Sequence, residues 1–215
     1  MAFEELFVVQ TEALERKREW QGEKQARLKT PMDIALIKAL FASLRFTPTG
    51  GQKVAIYEIL KDMEQDRPMS RLLEGDVGSG KTVVATAALL LVAAAGKRGC
   101  LLAPTEILAK QHAKTLAAIL APFNISVGIY TASEKRTGSD HAIFVGTHAL
   151  LQKNIRIKDL SLVVVDEQHR FGVEQRAALL RHHRTADIHP HFLSMTATPI
   201  PRTLSLTLFG NLDLS

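Results

Sequence analysis

Eight consecutive residues, Gly75-Asp-Val-Gly-Ser-Gly-Lys-Thr82, constrain this chain more than any other stretch. The short apolar run 71–73 enters them and the small-apolar run 82–95 leaves them, so a glycine-rich turn joins a strand to a helix. The spacing has a physical reason. Gly78 and Gly80 let the backbone take torsion angles closed to other residues and approach an anion closely. The N–H groups of Gly75, Asp76, Val77, Gly78, Ser79 and Gly80, with the helix start behind them, then form a cradle for phosphate. Lys81 is placed to reach the β- and γ-phosphates of a nucleoside triphosphate, and the Thr82 hydroxyl to ligate Mg²⁺. A glycine turn followed by an ordinary surface lysine would not need the whole pattern together with both flanks. The turn implies a phosphate site and leaves open what work the phosphate does.

A chain built around such a turn needs a sheet to carry it. Beyond residue 46, apolar strands alternate with helical stretches. Helices are predicted over 52–63, 82–95 and 105–120, and strands over 71–73, 99–103, 125–130, 142–145, 160–165 and 192–195. Continuous apolar strands alternating with helices imply a mostly parallel sheet covered on both faces, an α/β three-layer architecture. The 11 residues between Tyr130 and Ala142 fit this poorly, because a parallel crossover takes a dozen or more, mostly as a helix. Either those strands lack a helical crossover or the interval is shortened. Residues 1–45 are expected to form an N-terminal helical segment. Phe3, Leu6, Phe7, Gln10 and Leu14 share one helical face, and a second helix is predicted from Pro31, with Ile34, Ile37, Lys38 and Phe41 on one side. An accessory helical pair and a simple extension both fit. The organisation expected is thus a helical segment over 1–45 and a nucleoside-triphosphate-binding domain over 46–215.

Composition excludes several classes. With 215 residues and 46% hydrophobic content the chain can bury one sizeable core, and no apolar stretch reaches membrane-spanning length. Acidic residues follow Met1 where a secretory signal would be basic, so a cytoplasmic setting with no membrane partner is expected. A lone cysteine, Cys100, sits in an apolar run and is expected to be a buried, inert thiol. The histidines lack a companion cysteine set or an HExxH run, so no zinc site is expected. The net charge of +5 is compatible with a polyanion but does not demand one.

A second stretch completes the phosphate chemistry. Leu162-Val-Val-Val-Asp-Glu-Gln-His169 is an apolar strand ending in paired carboxylates. Asp166 is placed to hold Mg²⁺ and Glu167 to orient and deprotonate an attacking water. Both leave the carboxyl end of a strand, where open α/β sheets bind ligands. Gln168 and His169 extend the pair as a relay, although His169 is equally readable as a structural histidine. Glu174, Gln175, Arg176 and Arg181 fall on an expected surface helix beyond it. Thr105 follows Pro104 at a predicted helix start, where its hydroxyl can cap and the free N–H groups can meet a phosphate. Thr147, Thr196 and Thr198 also follow strands; each taken singly is a turn or cap residue as readily as a functional one.

Taken in order, these stretches resemble the motor domains of superfamily 2 helicases. Thr49 and Gln52 resemble a glutamine-bearing motif that reads adenine, although Pro48 and Gly51 depart from the usual residues there. Ala103-Pro-Thr-Glu-Ile-Leu-Ala-Lys-Gln-His112 and Gly146-Thr-His-Ala-Leu150 resemble motifs that touch the DNA backbone. Ser194-Met-Thr-Ala-Thr-Pro199 resembles the one that couples hydrolysis to movement. The resemblance implies DNA-contacting or coupling roles for Pro104, Thr105, Glu106, Gly146, Thr147, His148, Gln168, His169, Arg170, Thr196, Ala197 and Thr198.

Within that superfamily, residues 71–85, 166–176 and 195–204 are similar to the RecG family of branched-DNA helicases, with a RecA-like P-loop fold. Ser79 and Gln168 favour that family over the repair-coupling translocases, which tend to Phe and Glu there. The resemblance implies ATP and Mg²⁺ as cofactors and branched or duplex DNA as a partner. It also implies a wedge domain and a second motor domain elsewhere in the full-length protein, without which this stretch would be weakly active or inactive. In RecG-like chains a basic helical segment precedes the strand at 142–145, so 131–141 looks shortened here. A repair-coupling translocase and a nucleotide switch without motor activity are the alternatives.

Overall fold

The computed structural model describes residues 29–136, 141–151, 157–167, 190–197 and 213–214. An eight-stranded sheet runs through them. In chain order the elements are α1 (Ile34–Ser43), α2 (Gly50–Met63), β1 (Ser70–Glu74), α3 (Lys81–Ala94), β2 (Arg98–Leu102) and α4 (Glu106–Leu120). There follow β3 (Val127–Tyr130), β4 (Lys135–Arg136), β5 (Ile143–Gly146), β6 (Leu160–Asp166), β7 (His191–Thr196) and β8 (Asp213–Leu214). The strand order is β4-β3-β5-β2-β6-β7-β1-β8, and every neighbouring pair is parallel except β3 with β4. This is the mostly parallel α/β sheet expected, with every long strand found within a residue or two of its predicted place.

Side chains on successive strand positions alternate between two cores. Leu162, Val164, Leu193, Met195, Leu101 and Val145 face one cluster, which also takes the buried sides of all four helices. Val163, Val165, Phe192, Cys100, Leu102 and Phe144 face the other, closed among the described residues by Leu150, Ile157 and their neighbours. The α3 helix is buried on all sides over 83–92, which explains why that span is apolar apart from Thr86. No helix among the described residues is long and apolar enough to cross a membrane. Burial in the second core pushes the Cys100 thiol up to about 12, so it stays protonated and inert at neutral pH.

The start and the buried face of α1 are revised, and the open question after β3 takes one of its two alternatives. The α1 helix begins after Asp33, not at Pro31, because the Asp33 carboxylate accepts from the Leu36 N–H at 2.9 Å and caps it. Its buried face is Ile37 and Leu40, while Ile34 is 61% exposed. The interval after β3 holds no helical crossover among the described residues. There β4 turns back antiparallel along the outer edge of β3, pairing Tyr130 with Lys135, and this reversal lets the chain start β5 parallel to β3. The predicted helix near residues 3–18 and the surface helix with Glu174, Gln175, Arg176 and Arg181 lie outside the described residues.

Candidate functional site

Strands β6, β7 and β1 lie side by side and end together. Their carboxyl ends bring three separate sequence stretches into one place. The glycine-rich loop leaves β1, the carboxylate pair ends β6, and Thr196 ends β7 between them. Registers fix the arrangement: Glu74 lies opposite Thr196 and Asp166 opposite Met195. The Gly75 N–H donates to the Thr196 carbonyl at 3.2 Å, so the first residue of the loop is bonded to the end of the neighbouring strand.

The loop has the torsions its sequence requires. Gly78 and Gly80 have φ of 80° and 83°, in the left-handed region that favours glycine. Gly80 is also the residue before α3, and a Cβ there would run into the Gln52 amide. The Ser79 N–H donates to the Asp76 carbonyl at 3.1 Å and closes the turn, leaving Val77 89% exposed at its tip. The Lys81 ammonium donates to the carbonyls of Gly75 and Asp76 at 2.5 and 2.9 Å. It therefore spans the mouth of the loop, with a charged donor where an incoming phosphate would need one. Thr82 stands half-buried in the first turn of α3. Donor loop, lysine and hydroxyl suit a triphosphate with its Mg²⁺. No group of three or more His, Cys, Asp or Glu among the described residues could hold a metal ion alone, and magnesium sites of this chemistry complete their shell with phosphate oxygens and water.

Gln52 is engaged at both ends. It forms a capping box with Thr49 at the start of α2, its Oε1 accepting from the Thr49 N–H at 2.9 Å and its own N–H donating to Thr49 Oγ1 at 3.3 Å. Its Nε2 donates to the Ser79 carbonyl at 2.7 Å. The side chain thus fastens α2 to the phosphate loop. Arg71 on β1 makes a second tie, donating to Asp62 at 2.9 and 2.7 Å and to Glu58 at 3.0 Å.

Asp166 is the last residue of β6, and Glu167 beyond it has φ of 52°. A left-handed torsion at a residue other than glycine, asparagine or aspartate is uncommon and costs on the order of 1 kcal/mol. It swings the backbone out of the strand direction at the second carboxylate. The Nε2 of His112, on α4, lies 2.7 Å from Asp166 Oδ2, and both side chains are 13% exposed. Nothing local in the sequence ties His112 to Asp166, since 54 residues separate the pair. Its one signal was position: it shares a helical stripe with Ala109, Leu116 and Leu120, all fully buried.

The expected DNA-side residues fall at strand and helix ends. Pro104 is half-buried, and exposed Thr105 caps α4 by accepting from the Leu108 N–H at 3.3 Å. The Glu106 carboxylate accepts from the Ser133 N–H at 3.3 Å and from the Ser133 hydroxyl, latching the loop after β3 to the start of α4. The Ser133 hydroxyl, then the N–H groups of Ser133 and Ala132 and the Lys110 ammonium, hold the Glu106 carboxyl below the usual carboxylate range. Ser133 is a contact the sequence did not signal. Gly146 ends β5 where a Cβ would collide with the Tyr130 carbonyl. Thr147 is 4% exposed; its N–H donates to Tyr130 O at 3.3 Å and its hydroxyl accepts from the Ala149 N–H at 3.4 Å, opening a 3₁₀ turn over His148–Leu151. Thr196 is buried at 1% and Ala197 half-buried beside it. Gln168, His169, Arg170 and Thr198 lie outside the described residues.

This geometry can be compared with known proteins. The family model of the DEAD/DEAH box helicases matches residues 49–207. The chain belongs to the DEAD/DEAH box helicase family. Within that family this helicase domain is 45% identical over 212 residues to the ATP-dependent DNA helicase RecG of Treponema pallidum (strain Nichols), covering 91% of the chain and 31% of the relative. It is 43% identical to the ATP-dependent DNA helicase RecG of Synechocystis sp., covering 100% of the chain and 26% of the relative. That match runs over 225 residues, more than the 215 here, so the relative carries residues with no counterpart in this domain. A structure of RecG bound to a three-way DNA junction superposes with a TM-score of 0.84 at 36% identity, over 99% of this chain and 29% of that one. The similarity to RecG and the RecA-like fold are as the three sequence stretches implied. The helicase domain spans about a third of the length of these relatives or less.

Proposed function

We propose that this helicase domain is the first ATP-driven motor domain of a protein that remodels branched DNA, such as stalled forks and Holliday junctions. The observation that carries the reading is the convergence of β1, β7 and β6. The phosphate loop, the coupling strand and the carboxylate pair meet in one site joined by the bond from Gly75 to Thr196. The likeness over 99% of the chain to RecG bound to a three-way junction supports branched DNA as the substrate.

The chemistry follows from the residues. Residues 75–82 hold the triphosphate through backbone N–H groups, and Lys81 exchanges its two carbonyl acceptors for phosphate oxygens, a stronger charge-assisted bond. Thr82 and Asp166 would hold Mg²⁺ together with the phosphates, and the ion would supply charge neutralisation there. Glu167 orients and deprotonates the attacking water. Gln52 is proposed to carry the presence of adenine to Ser79. Thr105 and the first N–H groups of α4 grip a phosphate of the DNA backbone in a sequence-independent, salt-sensitive way. A second motor domain supplies the groups that complete the ATP site, and a wedge domain splits the junction. The work is done in the cytoplasm.

The test is ATP hydrolysis by the full-length protein with a three-way junction, with linear duplex and without DNA, beside Glu167→Gln. Strong stimulation by the junction, abolished by the substitution, is the expected outcome. Equal stimulation by duplex and junction would shift the assignment to a duplex translocase. Hydrolysis indifferent to every nucleic acid would remove the motor reading and leave a nucleotide switch.

A further inference from the structure

His112 breaks the pattern of its helix. The stripe of α4 that faces the sheet is otherwise apolar, with Ala109, Leu116 and Leu120 fully buried. A polar ring in such a stripe needs a partner. The partner it has is neither a backbone group of its own layer nor solvent, but Asp166, the carboxylate at the end of β6 proposed to hold the metal. An ionised carboxylate only accepts, so Nε2 is the donor, and the contact of 2.7 Å occupies one of about four lone-pair positions on Asp166. The remainder stays open to a metal or its water.

The other end of α4 gives this bond a direction. Thr105 caps the helix at its exposed start, roughly 10 Å along the axis from His112. Between them the helix is continuous and packed on the sheet, so a shift at its start is carried to the imidazole as a rigid displacement.

We propose that His112 is a positioning residue that joins the DNA-gripping end of α4 to the metal-holding carboxylate Asp166, so that engagement of DNA sets the orientation of Asp166. The proposal rests on the motor reading above. His112 acts through Asp166, as outer partners of metal ligands do elsewhere.

The experiment compares His112→Gln with His112→Asn in the full-length protein. Glutamine can place an amide donor where Nε2 now stands, and asparagine is too short to do so. Two readouts are taken: the Mg²⁺ concentration giving half-maximal ATP hydrolysis, and the fold stimulation by a three-way junction. The expected result for His112→Asn is about a tenfold higher Mg²⁺ requirement and a comparable loss of junction stimulation, with the KM for ATP little changed. His112→Gln should recover most of both. Identical behaviour of the two variants, or a lowered melting temperature with an unchanged Mg²⁺ requirement, would overturn the proposal, because a merely space-filling histidine predicts those. If the wild-type protein shows no DNA stimulation, the motor reading fails by itself, and the Mg²⁺ requirement of the two variants still decides whether His112 positions Asp166.

Discussion

Glu167 sits at φ 52°, where a glycine would be comfortable and a glutamate is not. Such strain persists only where surrounding structure imposes it. Two substitutions separate the backbone from the carboxylate. Glu167→Gln keeps the shape, so hydrolysis by the full-length protein should fall by roughly 10² to 10⁴ while nucleotide affinity stays near wild type. Glu167→Gly should lose activity to the same degree yet raise the melting temperature by a few degrees, since about 1 kcal/mol of strain is released in a chain of this size. At Gly80 the reverse holds: Gly80→Ala meets both a left-handed φ and the Gln52 amide, and should lower stability and nucleotide affinity together. Glu106 gives a pH dependence. Its carboxyl is held below the ordinary range by Ser133, so the latch contributes stability above the unfolded-state value and loses it as pH falls through the lower folded value. Hydrogen exchange of residues 131–134 should speed up in that acid window, and Glu106→Gln should abolish the change. At this scale the glycines, Lys81 and the carboxylate pair were legible because each is dictated by residues next to it in the chain. His112 and Ser133 were not, because their partners are 54 and 27 residues away and no local pattern names them.

Among the elements, α2 is the one that aims the phosphate loop. It is fixed at its start by the Thr49–Gln52 box and near its end by Arg71, whose guanidinium bridges Glu58 and Asp62, a full helical turn apart on one face. Removing the Thr49 hydroxyl by Thr49→Ala should cost about 1 kcal/mol, visible as a lower denaturant midpoint at unchanged slope. It should also weaken nucleotide binding, because Gln52 loses the frame that holds it against Ser79. Helix interiors were easy to read from periodicity, while helix starts depended on which side chain won the cap. Asp33 took the start of α1 from Pro31 because a carboxylate can satisfy a free N–H and a proline can only tolerate the position. Thr105 was legible as a cap since it follows Pro104 directly before an apolar repeat. The 3₁₀ turn after β5 was not, because it depends on Thr147 being buried against Tyr130, which is a fact of packing.

At the scale of the whole molecule, strand order is what the sequence left least visible. Alternating strands and helices implied a parallel sheet, but nothing local says that β7, late in the chain, inserts between β6 and β1. That insertion is decided by the fit of Leu193 and Met195 into the same apolar layer as Leu73, Leu162 and Val164. The two shortest strands, β4 and β8, were unreadable for a different reason: two residues carry no period. Both matter to behaviour in solution. They form the two margins of the described sheet, each only two residues long. A margin that short offers few backbone groups to a stray strand. The compact return after β3 therefore does more than close a gap in the chain: it works as a guard against one sheet growing onto another.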